Sequence, residues 1–212
     1  MILKNSNNNN LSLLIAKGNT MSKKLTITYD CGGESEGSTS YILDVLKKHD
    51  IKATFFLSGE WIESYPFLAK RIAEEKHEIG NHSYSHPDFT KLSENEIIKE
   101  INKAENIIKE TIGINPKPIF RFPFGSYNNN VLQLVGSLGY IYSIQWSIDP
   151  KDWKLPPSNK IVDNIIKKVS NDDIILLHNH GESTAAASDI FIPLLKEKDF
   201  QFITIGDMIK NF

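Results

Sequence analysis

Leu25-Thr26-Ile27-Thr28-Tyr29-Asp30 is the stretch from which the fold is worked out. Apolar residues alternate with threonines, a pattern that is typical of a strand, and an aspartate stands where the strand ends. Ile174-Ile175-Leu176-Leu177 is a second, wholly apolar strand candidate, and it leads directly into His178. Both segments therefore predict a buried strand that presents a polar side chain at its C-terminal end.

Strand-like and helix-like segments alternate along the whole chain. Further strands are predicted at 53–57, 77–82, 119–122, 141–148 and 200–204, and helices at 40–49, 67–76, 93–112, 131–138, 161–169 and 186–196. Such alternation predicts parallel strands with helices outside them. We therefore predict an α/β fold, a distorted or incomplete (β/α) barrel with about seven parallel strands, because a complete eight-unit barrel usually needs a longer chain. An open doubly wound sheet is the alternative.

Composition argues against several classes of protein. The chain has 24 Lys and Arg against 26 Asp and Glu and no long basic run, which argues against nucleic acid as a partner. No stretch is long enough for a transmembrane segment, and the single cysteine cannot form an intramolecular disulfide. Residues 1–20, which include an Asn-rich run, are predicted to be a flexible N-terminal tail, and residues 21–212 one domain. The apolar run at 11–16 is too short for a clear signal peptide.

Polar residues follow the ends of the predicted strands: Asp30, Cys31, His82, His86, Arg121, Asp149, Asp152 and His178. In a (β/α) barrel the functional site lies at the C-terminal ends of the strands, so these residues are expected to meet. His82 and His86 are four apart and would share one face of a helical turn, where both could reach a single cation. Two histidines with one anionic ligand are typical of hydrolytic zinc sites. The pattern favours metal-assisted hydrolysis of an amide or ester.

Five motifs in order make the chain from residue 25 to its end resemble the polysaccharide deacetylases of carbohydrate esterase family 4. They are Thr28-Tyr29-Asp30-Cys31-Gly32, His82-Ser83-Tyr84-Ser85-His86, Arg121-Phe122-Pro123-Phe124-Gly125, Asp149-Pro150-Lys151-Asp152-Trp153 and Leu177-His178. The resemblance implies a distorted (β/α) barrel that removes N-acetyl or O-acetyl groups from chitin, peptidoglycan, xylan and related glycans. It also implies an acetylated polysaccharide as the partner.

The resemblance assigns a role to each motif residue. Asp30 would be the base that takes a proton from metal-bound water, and His178 the general acid. Arg121 would hold Asp30 ionised, and Asp152 would hydrogen-bond His178 and raise its pKa. The metal ligands would be His82 and His86. The backbone N–H of Phe124 would point at the oxyanion, and Trp153 and Leu177 would wall the acetyl pocket.

The third metal ligand is open, because the family usually has a second Asp where this chain has Cys31. Cys31 could bind as a thiolate, which favours zinc. Alternatively, Asp30, Glu34 or water could take the third position while Cys31 only packs, or the site could bind metal poorly. Some members of the family it resembles, which act on muramic acid residues in peptidoglycan, also lack the second Asp and carry an acidic residue a few positions on, as Glu34 does here.

We therefore expect a zinc-, cobalt- or nickel-dependent deacetylase of an N-acetylated glycan such as peptidoglycan or chitin. By resemblance it would be secreted or in the cell envelope, with the cytoplasm left open because no signal peptide is clear. One alternative is an O-acetyl xylan esterase, and another is a thiol hydrolase with Cys31 as nucleophile. A third is a catalytically impaired glycan-binding relative in which Trp61 or Tyr84 stacks on sugars.

Overall fold

A parallel sheet forms the centre of the protein, seen in a computed structural model that describes residues 11–210. The strands are β1 (Leu13–Ile15), β2 (Lys24–Cys31), β3 (Thr54–Leu57), β4 (Glu78–Asn81), β5 (Ile119–Phe120), β6 (Tyr142–Ile144), β7 (Ile174–His178) and β8 (Gln201–Phe202). Seven of them lie in the order β1-β6-β5-β4-β3-β2-β7, and β8 pairs with the start of β2. All of these strand pairs are parallel.

Helices cover the outside of the sheet. They are α1 (Thr39–Lys48), α2 (Gly59–Ser64), α3 (Pro66–Glu74), α4 (Glu94–Ile112), α5 (Asn129–Ser137), α6 (Ser158–Lys168), α7 (Thr184–Lys196) and α8 (Ile205–Ile209). The longest, α4, begins with the predicted capping box of Ser93 and Glu96 and ends at the left-handed Gly113. Among residues 11–210 no helix is long and apolar enough to span a bilayer.

The predicted distorted or incomplete barrel is confirmed, and the alternative of an open doubly wound sheet is not. The distortion lies in residues 141–148, which the sequence predicts as one strand. Only Tyr142–Ile144 pairs with the neighbouring strands, as β6. The ladder between β6 and β1 ends with the hydrogen bond from the N–H of Gln145 to the carbonyl of Ile15, at 2.7 Å, and the backbone then leaves it. It returns at Ile148, which forms a parallel bridge with Ile175 of β7. This irregular segment links the two ends of the sheet.

The prediction of a flexible tail over residues 1–20 is wrong for its described part, and residues 1–10 lie outside the described range. Leu13–Ile15 forms β1 and pairs with β6. Ile15 is 2% exposed, and the hydroxyl of the buried Ser12 lies 2.7 Å from that of Ser143. The apolar run at 11–16 therefore supplies one edge strand of the sheet.

Alternate residues of each strand face opposite sides, which decides what can reach the site. In β2 and β7 one set packs against the helices in the largest hydrophobic cluster, and it includes Tyr29, Cys31 and Leu177. The other set points into the barrel, and its last members, Asp30 and His178, line a cavity. The sheet therefore turns every second residue of these strands into the barrel and leaves the last of them at the site.

Candidate active site

A cavity of about 720 Å³ opens at the C-terminal ends of the strands. The strand ends contribute Asp30, His82, Leu176 and His178, and the segments that follow the strands contribute the rest. Those further residues include Glu34, Ser58, Glu60, His86, Phe124, Trp146, Asp149, Lys151, Trp153 and His180. The cavity is far larger than an acetyl group, so it has room for part of a polymeric substrate as well.

Arg121 is the buried cation of the site. Its guanidinium donates to Oδ1 of Asp30 at 2.7 Å, to the hydroxyl of Thr28 at 2.8 Å, and to the carbonyls of Ile144 and Gln145 at 3.1 Å. Burial acts to raise the pKa of Asp30, but the charge and hydrogen bond of Arg121, together with the neighbouring histidines, outweigh it, and the pKa lies below its ordinary value. Asp30 is therefore an ionised proton acceptor at neutral pH.

His178 lies beside Asp30, since the two residues are register partners in β7 and β2. Its Nδ1 lies 2.8 Å from Oδ1 of the fully buried Asp152. Oδ2 of Asp152 accepts from the backbone N–H of His178 at 2.8 Å and from the hydroxyl of Thr184 at 2.7 Å. Burial acts to lower the pKa of His178, but the hydrogen bond and charge of Asp152 outweigh it and raise the pKa. His178 is therefore a proton donor whose other ring nitrogen is left for the cavity.

His82 and His86 meet across a turn rather than on the predicted helical turn. Ser83 and His86 both have left-handed backbones, with φ of 67° and 59°, so the segment cannot be helical. The two rings lie 4.8 Å apart, and Nδ1 of His82 lies 2.8 Å from the carbonyl of Arg121. That contact assigns the proton to Nδ1 and leaves Nε2 unprotonated, with a free lone pair. The Nε2 atom lies 3.5 Å from Oδ2 of Asp30. Burial lowers the pKa of His82. Burial, and then the repulsion that a protonated His82 would exert, lowers the pKa of His86 to about 3, so both rings are neutral at neutral pH.

Comparison with known proteins decides the family. The sequence profile of the polysaccharide deacetylases matches residues 17–143. The chain belongs to the polysaccharide deacetylase family. It is similar to a peptidoglycan-N-acetylglucosamine deacetylase of Bacillus cereus, with 39% identity over 192 residues that cover 89% of this chain and 69% of the relative.

Two solved structures extend the comparison. A crystal structure of a peptidoglycan N-acetylglucosamine deacetylase superimposes with a TM-score of 0.88 and 35% identity, covering 94% of both chains. A carbohydrate esterase family 4 pseudoenzyme from Bacillus anthracis is also similar, with a TM-score of 0.85 and 30% identity over 94% of this chain and 69% of the other. The fold is therefore shared by relatives described as enzymes and by one described as a pseudoenzyme.

The donor set of this member of the family fits a divalent metal in its chemistry. Two neutral imidazoles, His82 and His86, lie together beside the carboxylate of Asp30, and nitrogen with oxygen ligands of this kind suit zinc. Within the described residues, however, no group of three or more His, Cys, Asp and Glu side chains has the spacing of a complete metal site. The geometry thus supports two imidazole ligands and leaves the third undefined.

Cys31 does not take the predicted place as third ligand. It follows Asp30 in β2, so its side chain is on the opposite face and is fully buried among apolar residues. Burial, and then the charge of Asp30, raises the pKa of the thiol well above its ordinary range. The side chain neither lines the cavity nor ionises, which contradicts its roles as thiolate ligand and as nucleophile. Glu34 is exposed and does line the cavity, so it stays a candidate ligand together with Asp30.

Leu177 needs the same correction. It packs against the helices, whereas Leu176 lines the cavity, because only residues two apart from His178 share its face of β7. The residue of this pair that faces the cavity is therefore Leu176 and not the predicted Leu177. His180 was also missed by sequence reasoning, although it obeys the same two-residue spacing. It lines the cavity with its ring 5.2 Å from that of His178.

Aromatic side chains form part of the cavity wall. Phe124 is 68% exposed on a left-handed backbone, with its ring 4.6 Å from that of His86, and Trp153 is 41% exposed. The two aromatics suggested for sugar stacking are not free to do so. Trp61 is fully buried. The hydroxyl of Tyr84 donates to Glu63, and Nζ of Lys103 lies 3.3 Å from the centre of the Tyr84 ring, so this ring already has partners.

Proposed function

We propose that this chain removes N-acetyl groups from peptidoglycan by hydrolysis, with Asp30 as general base and His178 as general acid. One observation carries the proposal. The two residues are register partners at the same end of adjacent strands, and their surroundings move their pKa values in opposite directions. Two titratable groups arranged in this way are suited to accept and donate a proton in one reaction.

The reaction follows from these groups. A water oxygen attacks the acetyl carbonyl carbon while Asp30 takes one of its protons. The C–N bond then breaks, and His178 gives its proton to the departing amine nitrogen, so the products are acetate and a free amino sugar. Arg121 keeps Asp30 ionised, and Asp152 keeps His178 oriented and protonated. The backbone N–H of Phe124 is proposed to hold the oxyanion.

A divalent metal, zinc in the first place and cobalt or nickel as alternatives, is part of the proposal. His82 and His86 would hold it, with Asp30 or Glu34 as candidate third ligand. When bound, such an ion polarises the acetyl carbonyl and lowers the pKa of the attacking water. The fixed tautomer of His82, held by the carbonyl of Arg121, supports this assignment, because metal-binding histidines commonly donate their other N–H to a carbonyl or carboxylate.

Peptidoglycan is proposed as the substrate because the similar Bacillus cereus protein is named as a deacetylase of its N-acetylglucosamine. Leu176 and Trp153 would wall the acetyl pocket, and Phe124 would contact the neighbouring sugar. Since peptidoglycan is a cell-wall polymer, we place the activity at the cell envelope.

The test is acetate release from purified N-acetylated peptidoglycan. Wild type should release acetate, an excess of chelator should stop the release, and added zinc, cobalt or nickel should restore it. Full activity in excess chelator would rule out the metal.

A second candidate, a glycan-binding protein without catalysis, is favoured by the similarity to a pseudoenzyme and by Cys31 at the usual position of a ligand. Measurable glycan binding without acetate release under any metal would select it.

A further inference from the structure

The turn that joins His82 to His86 is held in an unusual conformation. Ser83 and His86 have positive φ angles, which residues with a β-carbon seldom adopt unless their surroundings impose them. Within the turn, the hydroxyl of Ser83 accepts from the backbone N–H of His86 at 3.0 Å. Contacts from outside the turn must supply the rest of the restraint.

Glu100 on α4 provides the largest set of these contacts. One carboxylate oxygen accepts from the backbone N–H groups of Tyr84 and Ser85, at 3.0 and 2.8 Å. The other oxygen accepts from the hydroxyl of Ser85, also at 2.8 Å. Hydrogen bonds to an ionised acceptor are stronger than those between neutral groups. A single half-buried side chain therefore holds both central residues of the turn.

The opposite side of the turn is fixed by α2. The N–H groups of Gly59 and Glu60 donate to the carbonyls of Ser83 and Tyr84, at 3.0 and 3.1 Å. A β-carbon at Gly59 would lie 2.4 Å from the ring of Tyr84, so the two elements are in close contact. The carbonyls of Ser83 and Tyr84 are held by α2, and the N–H groups of Tyr84 and Ser85 by Glu100, so the turn is fixed from both sides. The N–H of Ser83 donates to the side chain of Asn81, which precedes the turn, at 2.9 Å.

We propose that Glu100 is a positioning residue that sets the relative placement of the His82 and His86 rings for metal binding. The inference rests on the proposed metal-dependent function and deepens it. Glu100 does not line the cavity, so it acts only through the turn. Removing its carboxylate leaves the N–H groups of Tyr84 and Ser85 without their acceptor and frees the turn to relax from its left-handed residues.

The experiment compares Glu100→Ala, Glu100→Gln and the control Glu110→Ala, which changes an exposed glutamate of the same helix. Zinc affinity is measured by competition with a chromophoric chelator. Groups that orient metal ligands typically change affinity by about 10- to 100-fold, and that loss is expected for Glu100→Ala. Glu100→Gln keeps one acceptor oxygen and should retain most of the wild-type zinc affinity. Glu110→Ala should have the same zinc affinity as wild type.

Imidazole NMR signals of the metal-free proteins give a readout that does not depend on zinc. At fixed neutral pH the ring signals of His82 and His86 should shift in Glu100→Ala and stay in place in Glu110→Ala. Glu100→Gln also covers the case in which Glu100→Ala does not fold. If wild type binds no zinc, the proposed metal requirement fails, while the ring signals still decide the role of Glu100. Wild-type ring signals and wild-type zinc affinity in Glu100→Ala would overturn the inference.

Discussion

Replacement of Arg121 by methionine should strongly destabilise the fold. The guanidinium is fully buried and donates to four acceptors, one of which is the carboxylate of Asp30. Methionine has similar bulk but no donors, so Asp30 would be left as a buried charge without a partner, and the carbonyls of Ile144 and Gln145 without a donor. Breaking a buried ion pair from one side costs about 3–5 kcal/mol, and we expect a loss of that size in the free energy of unfolding.

The assay is urea unfolding at neutral pH, followed by circular dichroism, of wild type, Arg121→Met, Asp30→Asn and the double variant. Because Asp30→Asn removes the unpaired charge, the double variant should lose less than the sum of the single losses, with a coupling energy of about 2–3 kcal/mol. Arg121→Lys keeps a charge but lacks the planar fork, and should fall between Arg121→Met and wild type. A loss below about 1 kcal/mol for Arg121→Met, with additive behaviour in the double variant, would refute the reasoning.

The pH dependence provides a check on the same pair. The pKa of Asp30 in the folded protein lies below its ordinary value, so its ionised form stabilises the fold above the pKa of an unfolded carboxyl, about 3.9. That contribution is lost as the pH falls through the lower folded value. In Arg121→Met the opposite holds, because protonation removes the unpaired charge. The stability difference between wild type and Arg121→Met should therefore shrink as the solution is acidified.

Three further predictions concern the other site residues. Asp152→Asn removes the carboxylate that raises the pKa of His178, so the limb of the pH–rate profile at which activity falls with rising pH should move to lower pH; an unmoved limb would contradict the role of His178 as acid. Cys31→Ala should keep deacetylase activity, and the native thiol should resist iodoacetamide as followed by mass spectrometry, whereas inactivation would revive the thiol hypothesis. Leu177→Ala should lower the free energy of unfolding by about 2–5 kcal/mol, while Leu176→Ala should alter kcat/KM; the reverse assignment would contradict the strand faces.

The fold was predictable because its signals are local. The signals are the alternation of strand-like and helix-like segments, the capping residues and the polar residues that follow several strands. Each depends on only a few neighbouring positions of the sequence. The strand β1 was not predictable in this way, since three residues after an Asn-rich run carry no periodicity of their own. It exists because Leu13–Ile15 finds a partner in β6, more than a hundred residues away. Long-range pairing of this kind leaves no mark in a single sequence.

The sequence predicts which residues form the site better than it predicts which way their side chains point. Asp30, Arg121 and His178 meet as expected, but Cys31 and Leu177 face away from them. The strand β7 reads as a continuous apolar run, so the sequence does not show which of its residues face the barrel. In β2, by contrast, the alternation of threonines with apolar residues already places Cys31 on the face opposite Asp30. Once one residue of a strand is known to face the barrel, every second residue along that strand is assigned to the same face.

Acetate release from N-acetylated peptidoglycan by wild type and by Asp30→Asn, measured together with the newly formed amines, tests the central claim most directly. Wild type should yield acetate and amine in equal amounts, which identifies amide hydrolysis. Asp30→Asn should lower the rate by about 10²- to 10⁴-fold, the usual cost of losing a general base, and its metal content, measured alongside, shows whether Asp30 is also the third ligand. No acetate from wild type in the presence of zinc, cobalt or nickel, or an undiminished rate in Asp30→Asn, would contradict the account.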